Sequence, residues 1–308
     1  MEYASLEQLC RDIGAEYRLN EPLAPLTTMK VGGGCDILIT PRTEEEIQSV
    51  VSHCRSNDIP FFVLGRGSNV LVNGEGYRGC VIWTGKMTGH ISTDGERITA
   101  SAGAGLVTVC KCALEHSLTG LEFAYGIPGT VGGALYMNAG AYGGEMKDIV
   151  TSCRYIDENS DIREMTAAEM ELSYRHSYFS DRGCVILSVT MQLKKGDKDE
   201  IKAKMEELMQ RRRDKQPLEY PSCGSTFKRP EGYFAAALIE ECGLKGCSVG
   251  GAQVSDKHSG FVINKDNASY EDIIQLVKHI KKTVYEKKGV ELQCEMLILG
   301  GGEPHISD

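Results

Sequence analysis

Apolar positions recur at helical spacing in a few well-separated windows. In TEEEIQSVVSHCRSNDI, Ile47, Val50 and Val51 follow a Thr43-x-x-Glu46 capping box, which predicts a surface helix. IPFFVLGRGSNVLV reads as a buried strand at 61–64, a turn at 65–69 and a further strand at 70–72. A second such unit follows, with strand-like alternation at 97–102, a GAG turn and a helical pattern at 106–116. More strands are expected between 153 and 193, around a short helix capped by Thr166-x-x-Glu169. The charge-rich helix DKDEIKAKMEELMQRRRDKQP then marks a boundary near Gly196. Beyond it the pattern predicts an apolar helix around 233–241, a strand at 260–264, an amphipathic helix from 270 to about 288 and a strand at 291–299. The expected class is α+β, with one region over 1–196, itself split near residue 88, and a second over 197–308.

Composition narrows the functional classes. At 308 residues the chain exceeds the usual size of a single core, so two or three domains are expected. A net charge of −9 argues against broad binding to nucleic acid or anionic membranes, so any anion site must be a local one. The first twenty residues have neither a basic nor an apolar leader region, which places the expected compartment in the cytosol. The 12 cysteines are scattered and form no CxxC pair, so they read as small core residues with free thiols, and no metal site is expected.

One stretch breaks the charge pattern. In LEFAYGIPGTVGGALYMNAGAYGGE, residues 123–144 carry no charge, yet the glycines, a proline and Asn138 make a bilayer helix a poor reading. Glycine-rich backbone of this kind folds tightly and lets a ligand approach closely. Two standard phosphate motifs fail. GCVIWTGKM lacks the spacing and the last residue of a Walker loop, and GRGSNV and GAGLVT lack the third glycine of a dinucleotide fingerprint. What remains is a pair of glycine-rich turns, GRGSN and GIPGTVGGA, either of which is a plain tight connection when taken alone. Together they are able to aim backbone N–H groups at one pyrophosphate.

The ordered set TTMKVGGGCDILITP, LGRGSNVLV, GIPGTVGGALYMNAGAYGGE, LSYRHSYF, PSCGSTFKRP, LIEECGLKGCSVGGAQVSDKHSGFVIN and ELQCEMLILG resembles the UDP-N-acetylenolpyruvoylglucosamine reductase (MurB) family over nearly the whole chain. The resemblance implies a two-part FAD-binding domain of the vanillyl-alcohol oxidase (PCMH) type followed by a C-terminal α+β substrate-binding domain. It also implies reduction of the enolpyruvyl ether of UDP-N-acetylglucosamine to UDP-N-acetylmuramate in peptidoglycan synthesis. NADPH would reduce a non-covalent FAD, which would pass hydride to the vinyl C3 of the substrate.

The resemblance maps three catalytic residues. Arg175 would stabilise the developing enolate, Ser225 would protonate C2, and Glu295 would support the carboxylate with Arg175. Read without the family, Arg175 is a surface or ion-pair arginine and Ser225 a turn residue, whereas a carboxylate in the apolar pattern around Glu295 is a candidate functional acid on its own terms. The implied cofactor residues are Val31, Gly32 and Gly33, then Gly65, Arg66, Gly67, Ser68, Asn69 and Val70. They continue at Ile127, Pro128, Gly129, Gly132 and Gly133, and at Asn138, Gly140, Ala141 and Tyr142. Tyr174, Lys215 and Arg229 would contact substrate. Lys215 also fits the solvated basic end of a helix, and Tyr174 a packed strand aromatic. Two positions depart from other members, Arg229 standing where some have Asn and Leu297 where some have Arg. The spacing of 66 residues between Ser225 and Glu291 leaves little room for a capping insertion and points to the shorter subclass. The rival readings are a flavin oxidase of the same fold, using oxygen, and a non-catalytic nucleotide-binding regulator.

Overall fold

The structure is a computed structural model that describes residues 3–87 and 90–301. The expected split near residue 88 falls outside the described residues. By packing, the chain divides into two compact units. The first holds residues up to 19, 37–66 and 79–212, and the second holds 20–36, 67–78 and those from 213 onward. The charge-rich helix therefore packs with the first unit as far as Arg212, and two early segments pack with the C-terminal third.

In the first unit, helices α1 (Ala4–Ile13) and α2 (Glu44–Ser56) cover a sheet with strand order Glu16–Pro22, Gly34–Thr40, Tyr77–Trp83 and Phe61–Leu64. The first three of these strands run on into segments of the second unit. Ile47, Val50, Val51 and Cys54 line one buried face of α2, the i, i+3, i+4, i+7 pattern expected. The cap is only half a box. Thr43 Oγ1 accepts the Glu46 N–H, but the Glu46 carboxylate accepts from Arg42 N at 2.7 Å rather than from Thr43 N.

A second sheet is antiparallel throughout, ordered Ile162–Thr166, Val150–Ile156, Val185–Gln192, Arg97–Ser101 and Ile91–Asp94. Helices α3 (Leu106–Glu115) and α4 (Val131–Tyr136) supply Leu106, Val109, Val131 and Leu135 to its core. Thr166 and Glu169 form the expected reciprocal cap on a single 3-10 turn. The charge-rich segment is helix α5 (Lys198–Lys215), started by Asp197, whose Oδ1 accepts from Asp199 N and Glu200 N. The uncharged stretch breaks into a 3-10 turn, α4 and two two-residue strands. Among the described residues no helix is long and apolar enough to cross a membrane.

In the second unit, α6 (Ala235–Glu241) and α7 (Tyr270–Lys288) share a core with a three-stranded antiparallel sheet, Ser248–Val249, Ala252–Val254 and Val262–Asn264. Ile273, Leu276, Val277, Ile280 and Val284 form the buried stripe of α7. The strand expected over 291–299 is shorter. Only Leu297–Leu299 pairs, in parallel with Val70–Val72, and ahead of it the chain makes a lone bridge from Cys294 to Phe227. The partner strand is itself three residues long, so no ladder exists for the rest to join.

The 12 cysteines are free thiols, eight of them buried. Burial pushes the Cys10, Cys153 and Cys223 thiols up to about 12, which leaves them protonated and inert at neutral pH. Among the described residues no group of three or more His, Cys, Asp and Glu side chains could hold a metal.

Candidate functional site

The glycine turns of the first unit come together. A Cβ built on Gly65 would stand 2.5 Å from Thr130 Oγ1, so the two backbones can meet only because residue 65 is glycine. The GAG turn joins them, for Leu106 N donates to Gly129 O and Val131 N donates to Ala104 O. Arg66 lies along the same turn, its Nη2 3.3 Å from where a Gly105 side chain would begin. Thr130 Oγ1 then caps α4 by accepting from Gly133 N, while Gly132 N is spent on Ala102 O. Three turns of bare backbone stacked this way fit a cofactor that must lie close to main chain.

Asn138 organises the next turn. It is fully buried with φ 40, and its Nδ2 donates to Glu145 Oε2 at 2.7 Å and to Ser173 O at 2.9 Å. Its Oδ1 accepts from Lys147 N at 2.9 Å. The side chain is committed within the protein, so any cofactor contact from Asn138 falls to its backbone. The bond to Ser173 anchors the segment that carries Tyr174 and Arg175. Arg175 has φ 54, a left-handed conformation that costs a residue with a side chain about 1 kcal/mol or more. A Ser173 to His176 bridge holds it there, and Arg175 Nη2 donates to Gly140 O at 3.4 Å. Its guanidinium sits 5.2 Å from the centre of the half-exposed Tyr174 ring. His176 turns away, with Nε2 2.8 Å from Asp181 Oδ2. Ala141 pairs with Gly144 in the short hairpin, and Tyr142 is exposed at its tip with φ 54. Ile127 and Pro128 lie beside Gly129, whose N–H folds back onto Ile127 O.

In the second unit, Val31 is buried and Gly32, at φ 116, would place a Cβ 2.4 Å from Val72 Cβ. Gly33 N donates to Asn73 O, and Gly67 O accepts from Thr28 N, so the 28–33 segment is laced to the 67–73 segment that contains Ser68 and Val70. Asn69 links this turn to Glu295. Its Nδ2 donates to Glu295 O at 3.0 Å and its own carbonyl accepts from Leu297 N at 2.9 Å. Glu295 N in turn donates to Thr226 O, the residue after Ser225. Thr226 is buried and pinned by Gly260 O and by the Val262 N–H on its Oγ1. Ser225 and Glu295 are thus brought together by main-chain bonds through Thr226. The structure pairs Leu297 with Val70 at the start of the parallel strand pair, not in an ionic role.

Arg229 stacks on a neighbour, its guanidinium 4.4 Å from the centre of the exposed Phe234 ring. Lys215 is exposed at the last position of α5. One residue escaped the sequence reading. Arg212, three positions earlier, buries a guanidinium Nε that has no partner among the described residues. Its signal was the lack of an acid three or four positions away on either side, whereas Arg211 has Glu207.

Residues 216–299 match the family model for the C-terminal domain of UDP-N-acetylenolpyruvoylglucosamine reductase, and residues 35–166 match an FAD-binding domain. A curated UDP-N-acetylenolpyruvoylglucosamine reductase from Caldanaerobacter subterraneus is 50% identical over 92% of this chain and 93% of its own length. One from Oceanobacillus iheyensis is 47% identical over 96% of each chain. The crystal structure of the Thermus caldophilus reductase (MurB) superposes with a TM-score of 0.78 at 34% identity, covering 93% of this chain and 99% of that one. The α+β class, with an FAD-binding domain ahead of a reductase C-terminal domain, stands as expected. Relatives at about half identity over nine-tenths of both lengths leave one assignment, and the chain belongs to the UDP-N-acetylenolpyruvoylglucosamine reductase (MurB) family.

Proposed function

We propose that this chain performs its family's reaction, the reduction of UDP-N-acetylglucosamine enolpyruvate to UDP-N-acetylmuramate for peptidoglycan synthesis, in the cytosol and with NADPH as hydride donor. FAD, held without a covalent bond, supplies hydride chemistry that no side chain possesses. The observation that carries the reading is the meeting of the glycine turns at Gly65 and Thr130, in a chain that belongs to this family. In this reading residues 1–196 serve the cofactor and 197–308 the substrate.

Val31, Gly32, Gly33, the 65–70 turn, Ile127, Pro128, Gly129, Gly132, Gly133, Gly140, Ala141 and Tyr142 hold the cofactor, with Asn138 shaping its turn. Tyr174, Lys215 and Arg229 bind the UDP-sugar, two of them as cations suited to its diphosphate. As hydride reaches the vinyl C3, negative charge builds at C2 and spreads into the carboxylate. Arg175 disperses that charge with support from Glu295, and Ser225 gives its proton to C2.

NADPH oxidation that depends on the enolpyruvyl UDP-sugar tests the reading. Ser225→Ala is expected to lower turnover by about a hundredfold to ten-thousandfold while leaving FAD bound. Undiminished turnover in that variant would remove Ser225 from the chemistry, and oxygen consumption without the UDP-sugar would favour an oxidase.

A further inference from the structure

Two polar side chains of the second unit tie the segment ahead of the 31–33 turn to the segment ahead of Ser225. Thr28 Oγ1 donates to Ser222 O at 2.6 Å. Asn264 Nδ2 donates to Met29 O at 3.3 Å, and the Asn264 N–H donates to Pro221 O at 2.9 Å. The residues that carry this clamp are themselves fixed. Met29 is fully buried, Ser222 bridges to Ile263 of the three-stranded sheet, and Asn264 Oδ1 accepts from Ala268 N at 2.8 Å just before α7. From the clamp the chain reaches Val31 through Lys30, and Ser225 through Cys223 and Gly224. Lys30 stands at φ 60 and Gly224 at φ 75. The left-handed Lys30 costs about 1 kcal/mol or more, a strain that persists only while its neighbours are held. Links this short and this bent pass any slip of the clamp on to both turns.

We propose that Thr28 and Asn264 are positioning residues of this reductase, holding Ser225 where its proton reaches C2 of the same molecule whose C3 has taken hydride. Both side chains bond main chain, so they act through the segments they hold. The reaction adds its two hydrogens to neighbouring carbons from two different donors, and such a pairing is sensitive to a misplacement of about 1 Å. The inference rests on the function proposed above, in which the 31–33 turn serves the flavin and Ser225 supplies the proton.

The test takes FAD-loaded wild type, Thr28→Val, Thr28→Ser and Asn264→Ala without oxygen, and times flavin reduction by NADPH separately from flavin reoxidation by the enolpyruvyl UDP-sugar. Thr28→Val and Asn264→Ala are expected to slow reoxidation about tenfold to a hundredfold and to leave reduction by NADPH unchanged. Thr28→Ser, which keeps the hydroxyl, recovers most of the loss. In the ligand-free proteins, amide hydrogen exchange over 222–226 is faster in Thr28→Val than in wild type and returns toward wild type in Thr28→Ser. Equal slowing of both half-reactions, release of FAD from Thr28→Val, or a Thr28→Ser as slow as Thr28→Val assigns these side chains to stability alone and overturns the proposal. Undiminished reoxidation in Thr28→Val and Asn264→Ala overturns it too, as does unchanged exchange over 222–226. A wild-type flavin that the UDP-sugar does not reoxidise overturns the functional reading and the proposal with it.

Discussion

Asn69 and Glu295, 226 positions apart, are joined by a 3.0 Å bond from the Asn69 amide to the Glu295 carbonyl. The Asn69 carbonyl also accepts from Leu297 N at 2.9 Å, so one residue of a glycine-rich turn brackets the strand entry that carries the proposed acid. A turn expected to serve the cofactor therefore also sets the backbone of Glu295, the acid proposed for catalysis.

Asn69→Ala is expected to lower stability by about 1 kcal/mol in urea unfolding, the usual net worth of one such bond. Asn69→Asp places a carboxylate oxygen against the Glu295 carbonyl and is expected to cost more than the alanine. Equal midpoints for wild type, Ala and Asp would mean that the bond contributes nothing.

Gly65→Ala forces a methyl to within 2.5 Å of Thr130 Oγ1, the oxygen that caps α4. The expected cost is roughly 1–3 kcal/mol, the range for overpacking, together with weaker FAD binding. In a Thr130→Ala background, which itself loses a cap worth about 1 kcal/mol, the same change should cost less. Additive losses in the double variant would show that the two turns do not press on each other.

Burial pushes the His258 imidazole below its ordinary range, and its Nδ1 accepts from Gly260 N at 3.1 Å. The groups facing it are the Phe261 ring, at 4.9 Å between centroids, Glu240, which favours the imidazolium, and Lys245, which opposes it. The folded state therefore binds a proton less readily than the unfolded chain. The contribution is complete above the unfolded value of about 6.5 and is lost as pH falls through it toward the folded value. His258→Gln should show a smaller drop in unfolding temperature between pH 7.5 and pH 5.5 than wild type. An equal or larger drop would contradict the assignment.

Helix α7 begins with a reciprocal cap, in which Asp272 N donates to Ser269 Oγ and Ser269 N donates to Asp272 Oδ2 at 2.9 Å. Ser269→Ala is expected to cost about 1 kcal/mol in chemical unfolding. No change in the midpoint would mean that packing alone fixes the helix start.

Helix α7 was legible in the sequence from end to end, because an unbroken apolar stripe and Gly289 at its close are local signals. The strand over 291–299 was not, because strand length depends on a partner far away in the chain, here only Val70–Val72. The packing of residues 20–36 and 67–78 with the C-terminal third was hidden for the same reason. At the site, the glycine turns were legible because bare backbone is visible as composition. The commitment of the Asn138 side chain to Glu145, Ser173 and Lys147 was not, since two of those bonds reach main chain that no residue type announces. Arg212 hid inside RRRDK, which reads as the solvated end of a basic helix.

The central claim is that this chain delivers hydride to an enolpyruvyl UDP-sugar by way of bound flavin. Its most direct test reduces the FAD-loaded protein with NADPH in the absence of oxygen, adds UDP-N-acetylglucosamine enolpyruvate, and follows flavin absorbance. The account predicts rapid return of the oxidised spectrum with one UDP-N-acetylmuramate formed per flavin. A flavin that is reduced by NADPH and stays reduced after the sugar is added would contradict it.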